Sequence, residues 1–245
     1  MIDLAQAYQE THDHLAELVS ELPEDELGRT VQATPAWDVR DAVAHVTGEA
    51  RIAVTSDAPP ELNLLEALRD QEQADRRDAL NAREVQARRG WPIEAVLKEW
   101  DGLVEALLPM IRGDRPFPFA HPFLENILVA DLAMHAQDVR STVGVPGDRE
   151  SAGVGVALAA FSYGLDSRLR ALGLPGLRVR YAGKERVLGE EPVGATLAAD
   201  RFDLVRALTG RRSSAQIRAM QWEGDRETYV PLIPAFGERT DDLLE

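Results

Sequence analysis

The stretch Thr34-Pro35-Ala36-Trp37-Asp38-Val39-Arg40-Asp41-Ala42-Val43-Ala44-His45-Val46-Thr47-Gly48 decides how the first half of the chain folds. Asp38 stands where a helix needs an N-cap, because its short carboxylate can accept a backbone N–H that the first turn leaves without an intrahelical partner. Asp41, three residues on, gives an acidic approximation to a capping box. Val39, Val43, Val46, Ala50 and Ala53 then recur at spacings of three and four, which predicts an amphipathic helix with one buried stripe. His45 falls roughly 120° round from the centre of that stripe, at the border of its apolar and polar faces. A histidine there can reach a neighbouring helix. Asp57 to Pro60 ends the pattern.

The flanking segments carry the same period. Leu4, Tyr8, Thr11, Leu15, Leu18 and Leu22 form the stripe of a first helix that Pro23 helps to end. Glu61 to Arg89 is strongly charged and reads as a partly solvent-facing helical segment, with Leu64, Leu65 and Leu68 as its apolar anchors. Trp91-Pro92 opens a helix in which Val96, Trp100, Leu103, Leu107 and Ile111 keep helical spacing until Gly113 and Pro116. A further helix runs from about Pro122 to Gly144. Short connections between long amphipathic helices predict an up-and-down bundle of four main helices.

After that the pattern changes. Ser151 to Gly173 reads as one more helix. Leu177, Val179 and Tyr181 then alternate with Arg178 and Arg180, as in a half-buried strand, and Ala182-Gly183-Lys184 reads as a hairpin turn. Arg186 to Leu188 and Val193 to Ala198 are two more strand candidates, and Asp200 caps a short helix that runs to Leu208 and stops at Gly210. The expected class is α+β, a helical domain over 1–148 followed by a small α/β domain over 149–245. Charge supports that boundary. Residues 1–148 hold 28 acidic and 13 basic side chains, whereas 149–245 hold 14 of each.

The formal charge of the 245 residues is -15, which would repel a phosphate backbone, so no nucleic-acid partner is expected. No apolar run approaches the roughly 20 residues that span a bilayer, and the first residues carry no signal-peptide pattern. The expectation is a cytoplasmic protein, monomer or homodimer, that meets small molecules and no membrane. There is no cysteine, which excludes disulfides, thiolate metal sites and a cysteine nucleophile. A phosphate-binding glycine loop, a His-Glu-x-x-His pair and a Gly-x-Ser-x-Gly elbow are also absent from the sequence.

Five histidines remain to be weighed. His12 and His14, two apart on a helix, diverge, and read as surface or rim residues. His121 before Pro122 suits local packing or capping. Asp131 and His135 are four apart, so their side chains leave one helix face one turn apart, as two ligands of one ion must. The same spacing also suits an ordinary Asp-His hydrogen bond. His45 is the third residue that favours a site, because two imidazoles and one carboxylate leave coordination positions open, as in catalytic zinc centres.

The stretch Thr34 to Gly48 resembles the helix-2 signature of the mycothiol-dependent maleylpyruvate isomerase family, in its tryptophan, its Asp41 position, its histidine and its closing glycine. Asp131-Leu132-Ala133-Met134-His135-Ala136-Gln137-Asp138-Val139-Arg140 is similar to the family's second motif, whose carboxylate is usually glutamate. Ala198 to Arg212 and Trp222-Glu223-Gly224-Asp225 resemble its small second domain. The resemblance implies a DinB-like four-helix bundle, a divalent metal, zinc in the first instance, held by His45, Asp131 and His135, and mycothiol or a similar low-molecular-weight thiol. It implies an isomerase or S-transferase acting on a small electrophile. Arg211 or Arg212 would hold a carboxylate of substrate or thiol, since arginine offers a matching fork, although helix-end arginines also cap carbonyls. Two other readings stand beside this one: a metal-dependent hydrolase with Glu49 or Asp138 as general base, Asp138 otherwise orienting His135, and a non-catalytic protein that binds a small molecule.

Overall fold

A computed structural model describes residues 2–57, 62–63, 66–68 and 70–245. Leu64, Leu65 and the Pro60 end of the helix-breaking segment lie outside the described residues. The chain divides into two compact units, Met1–Gly153 and Val154–Glu245.

The first unit is helical. Helix α1 (Leu4–Ser20) is followed by a single turn, α2 (Glu24–Leu27), and then by α3 (Val39–Thr55). Asp38 caps α3 by accepting the Asp41 N–H at 2.7 Å. The reciprocal half of a capping box is missing, because the Asp41 carboxylate is drawn instead to Arg89, 2.8 Å away. Helix α4 (Gln71–Arg88) carries the charged segment, α5 (Ile93–Arg112) ends on Gly113 in the left-handed region, and α6 (Leu124–Val143) ends on Gly144 in the same way. Helices α1, α5, α3 and α6 pack as a ring, each against the next, which is the four-helix bundle that the stripes predict. The valine stripe of α3 is fully buried within it.

Helix α4 lies outside the ring, against α3. It approaches closely because Gly48 offers no side chain: a Cβ there would stand 2.9 Å from Glu84 Cγ and closer still to Glu84 Cβ. Glu84 is itself buried and receives Arg51 at 2.7 and 2.8 Å and Arg88 at 3.2 Å, while Arg88 also grips Glu99 of α5 at 2.8 Å. Buried charge of this kind persists only where it is paired and hydrogen-bonded.

The second unit begins within the first turns of α7 (Ala152–Ala171). Strand β1 (Pro175–Tyr181) pairs antiparallel with β2 (Lys184–Leu188) through a two-residue turn, with Ala182 and Gly183 both at positive φ as a primed turn requires. Strand β3 (Glu190–Ala198) lies parallel to β1 on its other side and pairs antiparallel with β4 (Gln221–Gly224), so the sheet order is β2-β1-β3-β4. The chain crosses the start of β1 at Gly189, where φ is +82° and the Cα of Gly176 lies 3.4 Å from where a Cβ would stand. Helices α8 (Arg201–Leu208) and α9 (Ser214–Ala219) and the edge strand β4 complete the unit. Leu177, Val179, Leu188, Leu197, Phe202, Leu204 and Ile217 are its buried core. Among the described residues no helix is long and apolar enough to cross a membrane.

Candidate metal centre

Helices α3 and α6 pack against each other, and the side chains where they meet include His45, Asp131 and His135. His45 Nε2 lies 3.2 Å from Asp131 Oδ2, and His135 Nε2 lies 3.7 Å from Asp131 Oδ1. One donor atom from each residue falls within 4.8 Å of the other two. Donors around a tetrahedral ion with bonds near 2.0–2.1 Å are separated by about 3.4 Å, so this donor set fits a divalent cation with little rearrangement. Both histidines are buried, while the Asp131 side chain is 24% exposed, which leaves the centre a path to solvent.

Neighbouring groups pack around these side chains. Asp138, one turn beyond His135 and fully buried, places Oδ2 3.3 Å from His135 Nδ1. A carboxylate on the far nitrogen of a ligating imidazole sets its tautomer and orientation. The Trp37 indole lies over both histidines, its ring centroid 4.7 Å from that of His45 at 33° and 5.6 Å from that of His135 at 48°. The two imidazoles are themselves 4.8 Å apart at 77°. Glu49, one turn along α3 from His45, is half-buried, and burial first, then the charge of Asp131, push its carboxyl up to about 7. Tyr8, buried on α1, has its phenol pushed up by burial; Trp100 opposes this, and the Glu49 and Asp131 charges add to it.

The remaining candidates stand elsewhere. His14 is exposed beside Asp148 at 3.2 Å, and half-buried His121 meets its neighbour's Pro122 carbonyl at 2.9 Å. His12, expected at the surface, is buried, because 8, 12, 15 and 19 form the true inner stripe of α1. Its ring lies edge-on to Trp100, with Asp13 at 2.9 Å and Asp101 at 3.2 Å. Arg211 and Arg212 lie just beyond α8 in the second unit. Arg211 donates to the Thr209 carbonyl at 2.7 Å and faces Phe236, whereas Arg212 is shared between Asp203 at 2.8 Å and Glu245 at 2.7 Å.

Sequence reasoning placed Tyr8 only in the stripe of the first helix and Trp37 only in the motif that carries the resemblance, and weighed Glu49 only as a hydrolytic base. The i,i+4 relation of Glu49 to His45 was the available signal for Glu49. For Trp37 the signal was its place immediately before the Asp38 cap.

A family model described as the mycothiol maleylpyruvate isomerase N-terminal domain matches residues 8–140. A crystal structure of the mycothiol-dependent maleylpyruvate isomerase with one histidine replaced by alanine is similar at a TM-score of 0.56, with 12% identity over 90% of this chain and 91% of that one. A crystal structure of the mycothiol-dependent maleylpyruvate isomerase is similar at a TM-score of 0.50, with 14% identity over 85% of this chain and 88% of that one. At such identities the likeness establishes the fold: a DinB-like helical part followed by a small sheet-containing part. A search of curated proteins returns no match.

Proposed function

The chain belongs to the mycothiol maleylpyruvate isomerase N-terminal domain family, and from that premise we propose that it is a metal-dependent, thiol-dependent isomerase or S-transferase acting on a small electrophile. The observation that carries this reading is the convergence of His45, Asp131 and His135 in the bundle that the family model covers. In the proposal these three residues hold a divalent ion, zinc in the first instance. A bound ion with open positions would lower the pKa of a low-molecular-weight thiol such as mycothiol and so supply a thiolate near neutrality. That thiol has to come from outside, since the chain contains no cysteine.

The chain's own residues prepare the site. Asp138 faces His135 Nδ1 at 3.3 Å, where its carboxylate would orient the ring of a ligating imidazole, and Trp37 lies against both imidazoles. Glu49, one turn from His45 and raised by burial and by the Asp131 charge, stands where a proton can be exchanged beside the site. Arg211 and Arg212 belong to the proposal as carriers of a substrate or thiol carboxylate. Arg212 would have to exchange the Glu245 carboxylate that it now holds.

The position of Glu49 favours a second reading, metal-dependent hydrolysis with Glu49 as base; buried Asp138, turned to His135, suits orientation better than proton transfer. One experiment separates them. Native protein, His45→Ala and His135→Ala are assayed for bound metal and for consumption of a low-molecular-weight thiol with a panel of electrophiles and maleyl-type cis acids. The proposal expects about one divalent ion per chain and thiol-dependent turnover, both lost in the variants. Metal-dependent ester or amide hydrolysis without thiol overturns it in favour of the second reading, and metal binding without any turnover leaves a small-molecule binder.

A further inference from the structure

The backbone of Trp37 is held by its own loop. The Val31 N–H donates to the Trp37 carbonyl at 2.9 Å, the Trp37 N–H donates to the Thr34 carbonyl at 2.9 Å, and the Thr34 N–H donates to the Val31 carbonyl at 3.0 Å. Thr30 bridges Asp38 across the loop, and the next residue, Val39, is fully buried at the start of α3. Both backbone polar groups of Trp37 are therefore committed within the loop. The ring is half-buried and set over two imidazoles that belong to different helices.

An indole nitrogen donates and does not accept, so Trp37 cannot itself ligate a cation. Its effect must pass through the histidines. Imidazoles that ligate a divalent cation carry part of its charge, and an indole face attracts positive charge within about 6 Å of its centroid, more strongly than a phenyl ring does. The His45 ring, nearly stacked at 4.7 Å, is placed to gain most. Set against both imidazoles, the same ring forms part of the shell that would control access and local dielectric at a bound metal.

We propose that Trp37 is a positioning residue that presets the angle between the His45 and His135 rings and strengthens their hold on a divalent cation. This rests on the reading of His45, Asp131 and His135 as a metal site. The test compares the native protein with Trp37→Phe and Trp37→Leu, using cobalt and zinc as probes. Affinity is read by competition with a chromophoric chelator, ligand geometry by the visible absorption of bound cobalt, and folding by circular dichroism. Trp37→Leu is expected to weaken cobalt binding by about tenfold or more and to shift the cobalt band, as substitution of supporting groups commonly does. Trp37→Phe should restore most of the affinity and the native band.

Native affinity and an unshifted band in Trp37→Leu would overturn the role of Trp37 while leaving the metal site standing. Failure of the native protein to bind either ion would overturn the metal reading, and this inference with it. Should Trp37→Leu not fold, indole emission decides. Cobalt should quench the native protein and quench Trp37→Phe much less, and equal quenching overturns the proposal.

Discussion

Replacing Gly48 with alanine pits helix propensity against packing at the α3–α4 contact. Alanine in a helix interior gains about 0.5–1 kcal/mol over glycine. The added Cβ would stand 2.9 Å from Glu84 Cγ and nearer still to Glu84 Cβ, an atom fixed to the α4 backbone. Carbon atoms rest at about 3.5–4.0 Å, so α4 must retreat by about 1 Å. Overpacking of this kind costs about 1–3 kcal/mol. The retreat also stretches the Arg51–Glu84 hydrogen bonds at 2.7 and 2.8 Å, in which a buried charge is satisfied, and bonds to charged groups contribute about 1.5–3 kcal/mol. Packing wins. Gly48→Ala should lose about 2 kcal/mol net, a fall in Tm of about 4–8 °C for a unit of this size. The assay is thermal and urea unfolding of native protein, Gly48→Ala, Glu84→Ala and the double variant. Glu84→Ala keeps its Cβ, so Gly48→Ala should remain destabilising in that background. A Gly48→Ala protein that melts at or above the native temperature, or a double variant as stable as Glu84→Ala, would refute the reasoning.

The Glu84 carboxyl, despite burial acting the other way, is held down to about 2 by hydrogen bonds from Arg51 and Arg88, against an ordinary 4.5. A depressed carboxylate stabilises the fold above its unfolded pKa and loses that contribution as pH falls toward its folded one, here between about 4.5 and 2. The unfolding free energy from urea titrations should therefore drop across that window in the native protein, by at most about 3 kcal/mol, and should change less in Glu84→Gln. Asp138→Asn should weaken zinc binding by about 10–100-fold, measured by chelator competition, because it removes the carboxylate that orients His135. Asp131→Glu should keep the metal, since the side chain is 24% exposed and has room for one more methylene; metal content below one tenth of native would contradict this.

Much of the fold was legible because it is local. The Asp38 cap, the stops at Gly113 and Gly144 and the apolar stripes of α3 and α5 depend on interactions within a few residues, and the sequence carries all of them. So does the Asp131–His135 pair, whose common face follows from helical period. The alternation of Leu177 and Val179 marked β1, whereas β4 escaped notice because an almost wholly exposed edge strand of four residues needs no alternation. His12 was misplaced because its stripe was drawn through Leu18, which is half-buried, when Val19 is the residue that faces inward.

What the tertiary structure alone decided is where distant pieces meet. Asp131 and His45 are 86 positions apart, and their 3.2 Å approach exists only because α3 and α6 pack with those two turns facing. The same packing brings Trp37 over both imidazoles and surrounds Glu49 with enough protein to lift its carboxyl toward neutrality. Helical period determines which side chains share a face, but it does not determine which face a neighbour covers. That choice is made by the summed burial of all the stripes at once, and the site's electrostatics follow from it.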